Sequence, residues 1–201
     1  MGYRSAGDMT PQYYIWDEHS EDYDNGGNVI CPEDRTEPGR WIMVPQERID
    51  VRAFGTQPSS TQANASNDGI GDANSYANEV GRALWFPKSG NKVNYAFIGG
   101  EVTSNVPWAI DKSVVLLAKN GATTTLSVKE FQGDGFSFAA TSGSNWTVTS
   151  DMIKSSWMGT IVATRFTASR ELVVDSSRDV QASGIKVHFD LIGALFEPEE
   201  N

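Results

Sequence analysis

From Lys88 onward the chain repeats one pattern, short β-prone runs separated by turn-forming residues, and this pattern limits its folds most strongly. The runs are rich in Val, Ile, Thr, Phe and Trp, which strands favour, and Gly, Asn, Asp or Ser ends each of them. The predicted strands are Val93–Ile98, Val114–Ala118, Thr123–Val128, Gly135–Ala139, Trp146–Thr149, Ile161–Phe166, Glu171–Val174 and Ile185–Phe189. Apart from a short turn around Ser150–Ser156, no helical periodicity is convincing there. The pattern predicts an all-β body, and its turn spacing fits a sandwich, a barrel or a β-solenoid.

A small β-module is predicted ahead of this body, over residues 1–55. Its apolar runs, Tyr13–Trp16, Val29–Ile30 and Trp41–Val44, are separated by Asn-Gly and Pro-Gly turn signals, as in a meander of short strands. Asn25-Gly26 is a strong hairpin signal. We expect the aromatic residues to form a small core for this module.

Residues 56–82 are predicted to connect the two regions. Thr56–Ser75 is polar and nearly lacks large apolar side chains, so burial cannot offset the entropy of ordering it. We expect a long surface loop or a poorly ordered segment. Asp72–Val80 predicts a short helix with Asp72 as N-cap and Gly81 as its C-terminal stop. Ala83–Pro87 then predicts a buried strand that opens the body, residues 83–201.

Charge and composition exclude several classes of protein. The 201 residues, 21.9 kDa in all, carry 16 Lys and Arg against 26 Asp and Glu, a net charge of −10. Nucleic-acid and anionic-membrane surfaces attract positively charged proteins, so we expect neither partner. No apolar run approaches the roughly 20 residues of a membrane span, and the first residues lack the apolar stretch of a secretory signal.

Few residues suit a metal site or a nucleophile. Cys31 is the single cysteine and is predicted to be structural, and only His19 and His188 could serve as bases. An intrachain disulfide is therefore excluded, and a zinc site or a serine-based triad is not indicated. The loop Asn67–Asp72 carries oxygen ligands but lacks the rest of an EF-hand, so we interpret it as a turn. We expect no metal and no cofactor.

Catalytic carboxylates are not indicated by spacing. Glycan hydrolysis needs two carboxyl groups about 5 to 9.5 Å apart across a cleft, and a lyase would need a basic residue to stabilise the enolate. Carboxylates in the β-rich region are Glu101, Asp111, Glu130, Asp134, Asp151, Glu171, Asp175, Asp179 and Asp190, and the basic candidates are Lys129, Lys154 and Arg165. No spacing forces any of them onto one face. We predict no catalytic residue and solvated carboxylates.

Two kinds of residue are candidates for binding. Six tryptophans could stack on sugar rings; Trp41 and Trp85 lie in apolar runs and predict core positions. Trp108 and Trp146 lie beside polar turns, so they are the glycan-contact candidates. A run of carboxylates in the N-terminal module is by default a solvated face, or else a docking surface for a basic neighbour. Its members are Asp17, Glu18, Glu21, Asp22 and Asp24.

Several phrases of the sequence form a set that resembles a known family. The N-terminal phrases are Gly2-Tyr3-Arg4-Ser5-Ala6-Gly7-Asp8, Tyr14-Ile15-Trp16-Asp17, Asp24-Asn25-Gly26-Gly27-Asn28-Val29-Ile30, Gly39-Arg40-Trp41 and Ile49-Asp50-Val51-Arg52-Ala53-Phe54-Gly55. Weaker matches are Ala83-Leu84-Trp85-Phe86-Pro87 and Lys154-Ser155-Ser156-Trp157-Met158-Gly159, with a capping helix at Asp72–Gly81. Together they resemble phrases of bacteriophage tail-spike and tail-fibre proteins. After Gly55 the chain departs from that family, because Thr56–Ser60 replaces its acidic run.

The resemblance implies a short right-handed parallel β-helix of the pectin-lyase-like type behind the N-terminal module. At on the order of 20 residues per turn, Ala83–Phe196 would hold about five turns. It also implies a structural component of a phage tail spike, tail fibre or head fibre, a homotrimer on the particle surface that is attached to other virion structural proteins and contacts host-surface polysaccharide. Two alternatives remain open: a polysaccharide depolymerase or lyase, and a carbohydrate-binding adhesion module.

Overall fold

The computed structural model describes residues 9–65 and 69–153, together with the backbone of 154, 165–168 and 172–173. One helix, α1 (Ile70–Val80), and a 3-10 turn (Val51–Phe54) accompany the strands in these ranges. The strands are β1 (Tyr14–Asp17), β2 (Val29–Ile30), β3 (Arg40–Met43), β4 (Arg48–Asp50), β5 (Ala83–Phe86), β6 (Asn94–Phe97), β7 (Gly100–Ile110), β8 (Val115–Ala118), β9 (Thr123–Gln132), β10 (Ser137–Ala140), β11 (Asn145–Lys154), β12 (Arg165–Ala168) and β13 (Leu172–Val173).

The body is a parallel β-solenoid of about three turns. One parallel sheet has the order β4-β5-β7-β9-β11-β12, and a second has the order β6-β8-β10. Asn145 of β11 pairs with Thr123 of β9, 22 residues earlier, and Thr124 of β9 pairs with Gly100 of β7, 24 residues earlier. Within the described residues the body is therefore built of strands with the predicted repeat length, and the solenoid is the correct choice among the three predicted architectures.

Each long strand has a break near its middle, which we call the mid-strand break. Between β7 and β9 the register shifts between Ser104 and Pro107, and between β9 and β11 the pairing is interrupted at Lys129 with the register unchanged. Val128 and Phe131 of β9 both point inward, so two residues in succession, Lys129 and Glu130, lie on the outer side. The in–out alternation of β9 thus slips by one residue at the break, whereas β7 has one extra residue there and keeps its alternation.

Aromatic rings fill the interior of the solenoid. Trp108 lies 4.9 Å from Phe86 and 5.8 Å from Phe131, measured between ring centroids. The contacts continue from Phe138 to Trp146 at 5.5 Å. Such offset and edge-on pairs add about 0.5–1.5 kcal/mol each beyond their area burial. The core is therefore continuous from one turn to the next.

The N-terminal module contains an antiparallel sheet with the order β1-β3-β2. The predicted small β-unit is present, but the predicted meander is wrong because β3 lies between β1 and β2. Asn25 and Gly26 do form a turn, in which the Asn25 side chain accepts hydrogen bonds from the Gly27 and Val29 backbone. They do not form the predicted hairpin, since the strands on either side of this turn are not neighbours.

The module and the body share one core. Strand β4 belongs to the large solenoid sheet, and the 3-10 turn that follows it is buried. The Tyr76 hydroxyl of α1 donates to the Met43 carbonyl of β3 at 3.0 Å. Gly27 packs so closely on the Phe54 ring that a Cβ there would lie 2.1 Å from a ring carbon. One face of the N-terminal sheet is thereby fixed against the capped end of the solenoid.

The helix and the polar connection differ in detail from the sequence prediction. Helix α1 begins at Ile70 with Gly69 as N-cap, so Asp72 lies in the first turn. Gly81 ends the helix in the left-handed conformation, as predicted. The polar connection is anchored at its start, because the Ser59 backbone pairs with Asn94 of β6. Its exposed part is limited to residues 60–64 before the undescribed residues 66–68.

The longest strand, β7, was missed by the sequence analysis. The polar run Thr103–Asn105 and Pro107 conceal its alternation, and the mid-strand break tolerates the proline because pairing is interrupted there. Strand β11 likewise extends through Ser150–Lys154, where a turn was predicted. Three sequence predictions fall outside the described residues. They are the strand Ile185–Phe189, most of the phrase Lys154–Gly159, and the first phrase of the resemblance, residues 2–8.

Candidate functional site

A polar groove of about 330 Å³ crosses three successive turns of the solenoid on its outer side. Strands β7, β9 and β11 each contribute three consecutive residues at their mid-strand break. They are Thr103, Ser104 and Asn105, then Ser127, Val128 and Lys129, then Thr149, Ser150 and Asp151. The groove therefore repeats once per turn, with neighbouring strands about 4.8 Å apart.

The strand alternation puts hydroxyl groups along this groove. Thr103, Ser127 and Thr149 occupy one register line and face outward. Ser104, Val128 and Ser150 occupy the next line, are buried, and form the floor. In the floor the Ser104 hydroxyl donates to the Val106 carbonyl at 3.1 Å and the Ser150 hydroxyl to the Met152 carbonyl at 2.8 Å. These bonds satisfy carbonyl groups at the break, so the floor is structural.

The rim of the groove carries mixed polar chemistry. Asn105, Lys129 and Asp151 are exposed and come from successive turns. Together they offer amide, ammonium and carboxylate groups beside the line of hydroxyls. Such a set of donors and acceptors, repeated at strand spacing, matches a polyhydroxylated polymer better than an apolar ligand.

The two predicted glycan-contact residues are not at the surface. Trp108 and Trp146 are 0% exposed and belong to the aromatic core, so the expectation of surface contact is wrong. The Trp108 indole N–H donates to Asn74 of α1 at 3.3 Å, and that of Trp146 donates to the Ala139 carbonyl. Both rings lie at inward positions of their strands, and this outweighs the polar turns beside them in sequence.

The exposed tryptophans are in the N-terminal sheet instead. Trp16 and Trp41, directly opposite on β1 and β3, are 38% and 43% exposed, with ring centroids 5.2 Å apart. The core position predicted for Trp41 is therefore wrong. Trp85 is half-buried, and its indole N–H donates to Asp111 at 2.9 Å. Asp111 is thereby a structural carboxylate.

The predicted docking carboxylates are all exposed, and several also hold the loop between β1 and β2. They are Asp17, Glu18, Glu21, Asp22 and Asp24. Asp24 accepts hydrogen bonds from the Gly26 and Cys31 backbone at 2.8 and 2.9 Å. Asp17 accepts from the His19 backbone at 3.0 Å. These acids combine surface charge with turn geometry.

A buried ion pair lies between the module and the body. The Arg52 guanidinium contacts the Asp50 carboxylate at 2.7 Å, and Thr10 donates to the same carboxylate at 2.9 Å. Burial lowers the pKa of Arg52, but the hydrogen bond and charge of Asp50 outweigh it and leave that pKa raised. Burial, followed by the charge of Asp50, raises the pKa of nearby Tyr95 well above its ordinary value. The pair is structural, since its oxygens are satisfied inside the protein.

Of the sequence-predicted catalytic candidates, the structure brings Lys129 and Asp151 to one groove. Glu130 accepts a hydrogen bond from Gln132 at 2.8 Å and does not line the groove. Glu171, Asp175, Asp179 and Asp190 lie outside the described residues. The groove itself was missed, although its signal is present: Thr-x-Ser or Thr-x-Thr recurs at 125–127 and 147–149, one turn apart.

Among the described residues, no cluster of three or more His, Cys, Asp or Glu could hold a metal ion. No helix in this part of the chain is long and apolar enough to cross a membrane. Comparison with family models, with curated proteins and with solved structures found no match to this chain.

Proposed function

We propose that the chain is a structural component of a bacteriophage tail spike, tail fibre or head fibre that contacts host-surface glycan through the polar groove. In this proposal the solenoid is a right-handed, pectin-lyase-like β-helix, and the protein is a homotrimer on the virion surface. The proposal joins the phrases of the first 55 residues that resemble those of phage spikes to a parallel solenoid in the body that follows.

The groove is the observation that supports glycan contact. A polysaccharide presents hydroxyl groups at regular intervals, and the groove presents Thr103, Ser127 and Thr149 at regular intervals along the solenoid axis. Lys129 and Asp151 add charged hydrogen-bond partners on the rim. Hydrogen bonds between neutral groups contribute about 0.5–1.5 kcal/mol each, so several turns must act together.

Binding to an array of bacterial surface polysaccharides tests this role. We expect the double variant Thr103→Val and Thr149→Val to bind about tenfold more weakly, since it loses two hydrogen-bonding groups. Thr147→Val is the matched control, because Thr147 lies on β11 two residues before Thr149 but outside the groove. Equal loss in both variants, or none in either, would argue against the groove.

Sedimentation equilibrium tests the assembly. A mass about three times 21.9 kDa supports the trimer, and a three-chain assembly would bury surface that a short solenoid leaves open. A monomeric mass would instead favour the carbohydrate-binding adhesion module.

One observation favours a second candidate, a polysaccharide lyase. Lys129 and Asp151 bring a basic group and a carboxylate to one groove, the combination that such chemistry requires. Incubation of purified protein with the polysaccharide it binds separates the two functions. Release of reducing ends or unsaturated products, lost in Lys129→Ala, would establish the enzyme; unchanged polysaccharide supports passive attachment.

A further inference from the structure

The N-terminal sheet has one covered face and one uncovered face. Tyr14 and Met43, directly opposite on β1 and β3, pack against the core that includes α1. The opposite side chains belong to Ile15 and Ile42, which are also directly opposite, and to Tyr13 and Val44. The Val44 N–H donates to the Tyr13 carbonyl at 2.8 Å, which continues the pairing by one residue. We call Tyr13, Ile15, Ile42 and Val44 the outer face.

The outer face is apolar, and it is open along β1, whereas Ile42 is half-buried beside its β2 partner Val29, which is buried. Tyr13 is 69% exposed and Ile15 is 61% exposed. In the described part of the chain, the solenoid body contributes only Ile98 to the large apolar side chains at the surface. The others fall within residues 13–44: Tyr13, Ile15, Trp16, Tyr23, Trp41 and Val44. Scattered apolar residues need no explanation, but a contiguous group on one sheet face is typical of an interaction surface.

Charge decides between two occupants of this face. Residues 1–50 carry eleven acidic residues against four arginines. The exposed carboxylates Asp17 to Asp24 begin where β1 ends, and exposed Glu47 lies beyond β3. A second copy docking by two-fold symmetry would bring these like charges together, at a cost in free energy. A basic partner would pair with them.

The cation–π contact of the module lies on the other side of the sheet from the outer face. The Arg35 guanidinium lies 5.0 Å from the centre of the Trp16 ring, and Gly39 makes room for that ring, since a Cβ there would lie 2.4 Å from it. Trp16 shares the side of Tyr14 rather than that of Ile15. At the outer face it is therefore the carboxylates that favour a Lys- or Arg-rich surface.

We propose that the outer face docks a basic protein surface with an apolar centre, belonging to a different protein. This rests on the proposed function, in which the chain is a component of a phage particle, and it names the surface and the chemistry of its contact with a neighbouring protein there. The apolar side chains supply the centre of the interface, and the carboxylates at residues 17–24 supply its rim and speed encounter.

Two synthetic twelve-residue peptides probe this surface, one alternating Val with Lys and the other alternating Val with Glu. We expect the Lys peptide to bind the full chain in a titration, and the Glu peptide not to bind. Raising the salt from 50 to 300 mM should weaken binding severalfold, since exposed charges are screened. Equal binding of the two peptides would overturn the proposal.

Variants locate the binding. The double variant Ile15→Ser and Val44→Ser should bind the Lys peptide at least about tenfold more weakly, as expected when the centre of an interface is removed. Ile98→Ser is the matched control, because Ile98 is exposed on the body, and it should bind like the wild type. Unchanged affinity in the double variant, with unchanged circular dichroism, would overturn the proposal.

The same variants separate this inference from the proposed function. If the outer face docks a different protein, the double variant keeps the sedimentation mass and the glycan binding of the wild type. If the double variant has a smaller mass, the occupant is a second copy and the inference is wrong. If the wild type binds glycan but not the Lys peptide, the inference about the outer face is wrong and the proposed function stands. If the wild type binds the Lys peptide but the groove variants bind glycan as well as the wild type does, the proposed glycan contact through the groove is wrong instead.

Discussion

The solenoid body and the N-terminal sheet use tryptophan in opposite ways. In the body, Trp108 and Trp146 are completely buried. In the sheet, Trp16 and Trp41 contact one another at 5.2 Å and remain more than a third exposed. All four lie in β-strands of similar composition, so strand propensity does not decide their exposure.

The extent of covering makes the difference. In a solenoid, each inward side chain has equivalent side chains above and below it, and the coil closes around them. In the sheet, Trp16 and Trp41 lie on the same side as Tyr14 and Met43, but this side is covered only in part, and both rings stay more than a third exposed. Exposed tryptophan therefore indicates where the fold stops covering its own surface.

Replacing Trp108 tests this contrast with the largest expected effect. Trp108→Ala removes contacts with Phe86, Phe97 and Phe131, and we expect the free energy of unfolding to fall by about 3–5 kcal/mol. Trp41→Ala should lower it by less than about 1 kcal/mol. Urea unfolding followed by circular dichroism measures both. Equal losses would show that the sheet and the body bury their aromatic residues alike.

Much of the body could be predicted from sequence because the composition of a short segment is enough to indicate a strand. Runs rich in Val, Ile, Thr and Phe, ended by turn-forming residues, predicted β6, β8 and β10 to within two residues at each end. The mid-strand breaks could not be predicted, because the pairing between strands is interrupted there and the polar residues on the outer side resemble a turn. This explains why β7 was missed and why β11 was predicted to end at Thr149.

The binding surfaces were harder to predict than the strands. Trp146 follows Ser144-Asn145, which indicates a surface turn, yet its place on β11 points the ring inward. Exposure of a side chain in a parallel solenoid depends on its register with residues 22 to 24 positions away. The groove needs the same register across three turns, so the recurrence of Thr-x-Ser and Thr-x-Thr at 125–127 and 147–149 indicates it only once that register is known.

Breaking the Asp50–Arg52 pair tests whether the module and the body are one cooperative unit. Asp50→Ala leaves the Arg52 guanidinium buried without its partner, and we expect a loss of about 3 kcal/mol in the free energy of unfolding. Differential scanning calorimetry should still show one transition. Two transitions would mean that the sheet and the solenoid are stabilised separately.

The double variant Asp50→Ala and Arg52→Met separates charge from packing. Because it removes both charges and keeps apolar volume at residue 52, it should recover part of the loss. If it is no more stable than Asp50→Ala, the Thr10 and Arg52 backbone contacts of Asp50 account for the loss instead.

A smaller effect is expected at the contact between the sheet and the end of the solenoid. Gly27→Ala would place a Cβ 2.1 Å from the buried Phe54 ring, and the rearrangement should cost about 2 kcal/mol. Gly71→Ala is the matched control in α1, where nothing lies within 4 Å of the added carbon. It should stabilise the protein by about 0.5–1 kcal/mol, because Ala favours a helix more than Gly does. Thermal unfolding measures both, and equal effects would contradict the close packing of sheet on body.

The smallest effect appears only at alkaline pH and belongs to the body side of the comparison. Burial raises the pKa of Tyr95, and likewise that of Tyr76. The neutral phenol is therefore favoured in the folded chain. Its stabilising contribution is complete below the ordinary tyrosine pKa of about 10 and is lost as the pH rises above it, because the unfolded chain releases its protons first.

Thermal unfolding of the wild type should therefore shift to lower temperature above about pH 10. Tyr95→Phe should show a shallower shift, although it is less stable at neutral pH because the hydroxyl no longer donates to the Pro87 carbonyl. Tyr23→Phe is the control in the N-terminal module, since Tyr23 is 87% exposed and its hydroxyl meets water in both states. An alkaline shift as steep in Tyr95→Phe as in the wild type would mean that the buried phenol of the body does not contribute to it.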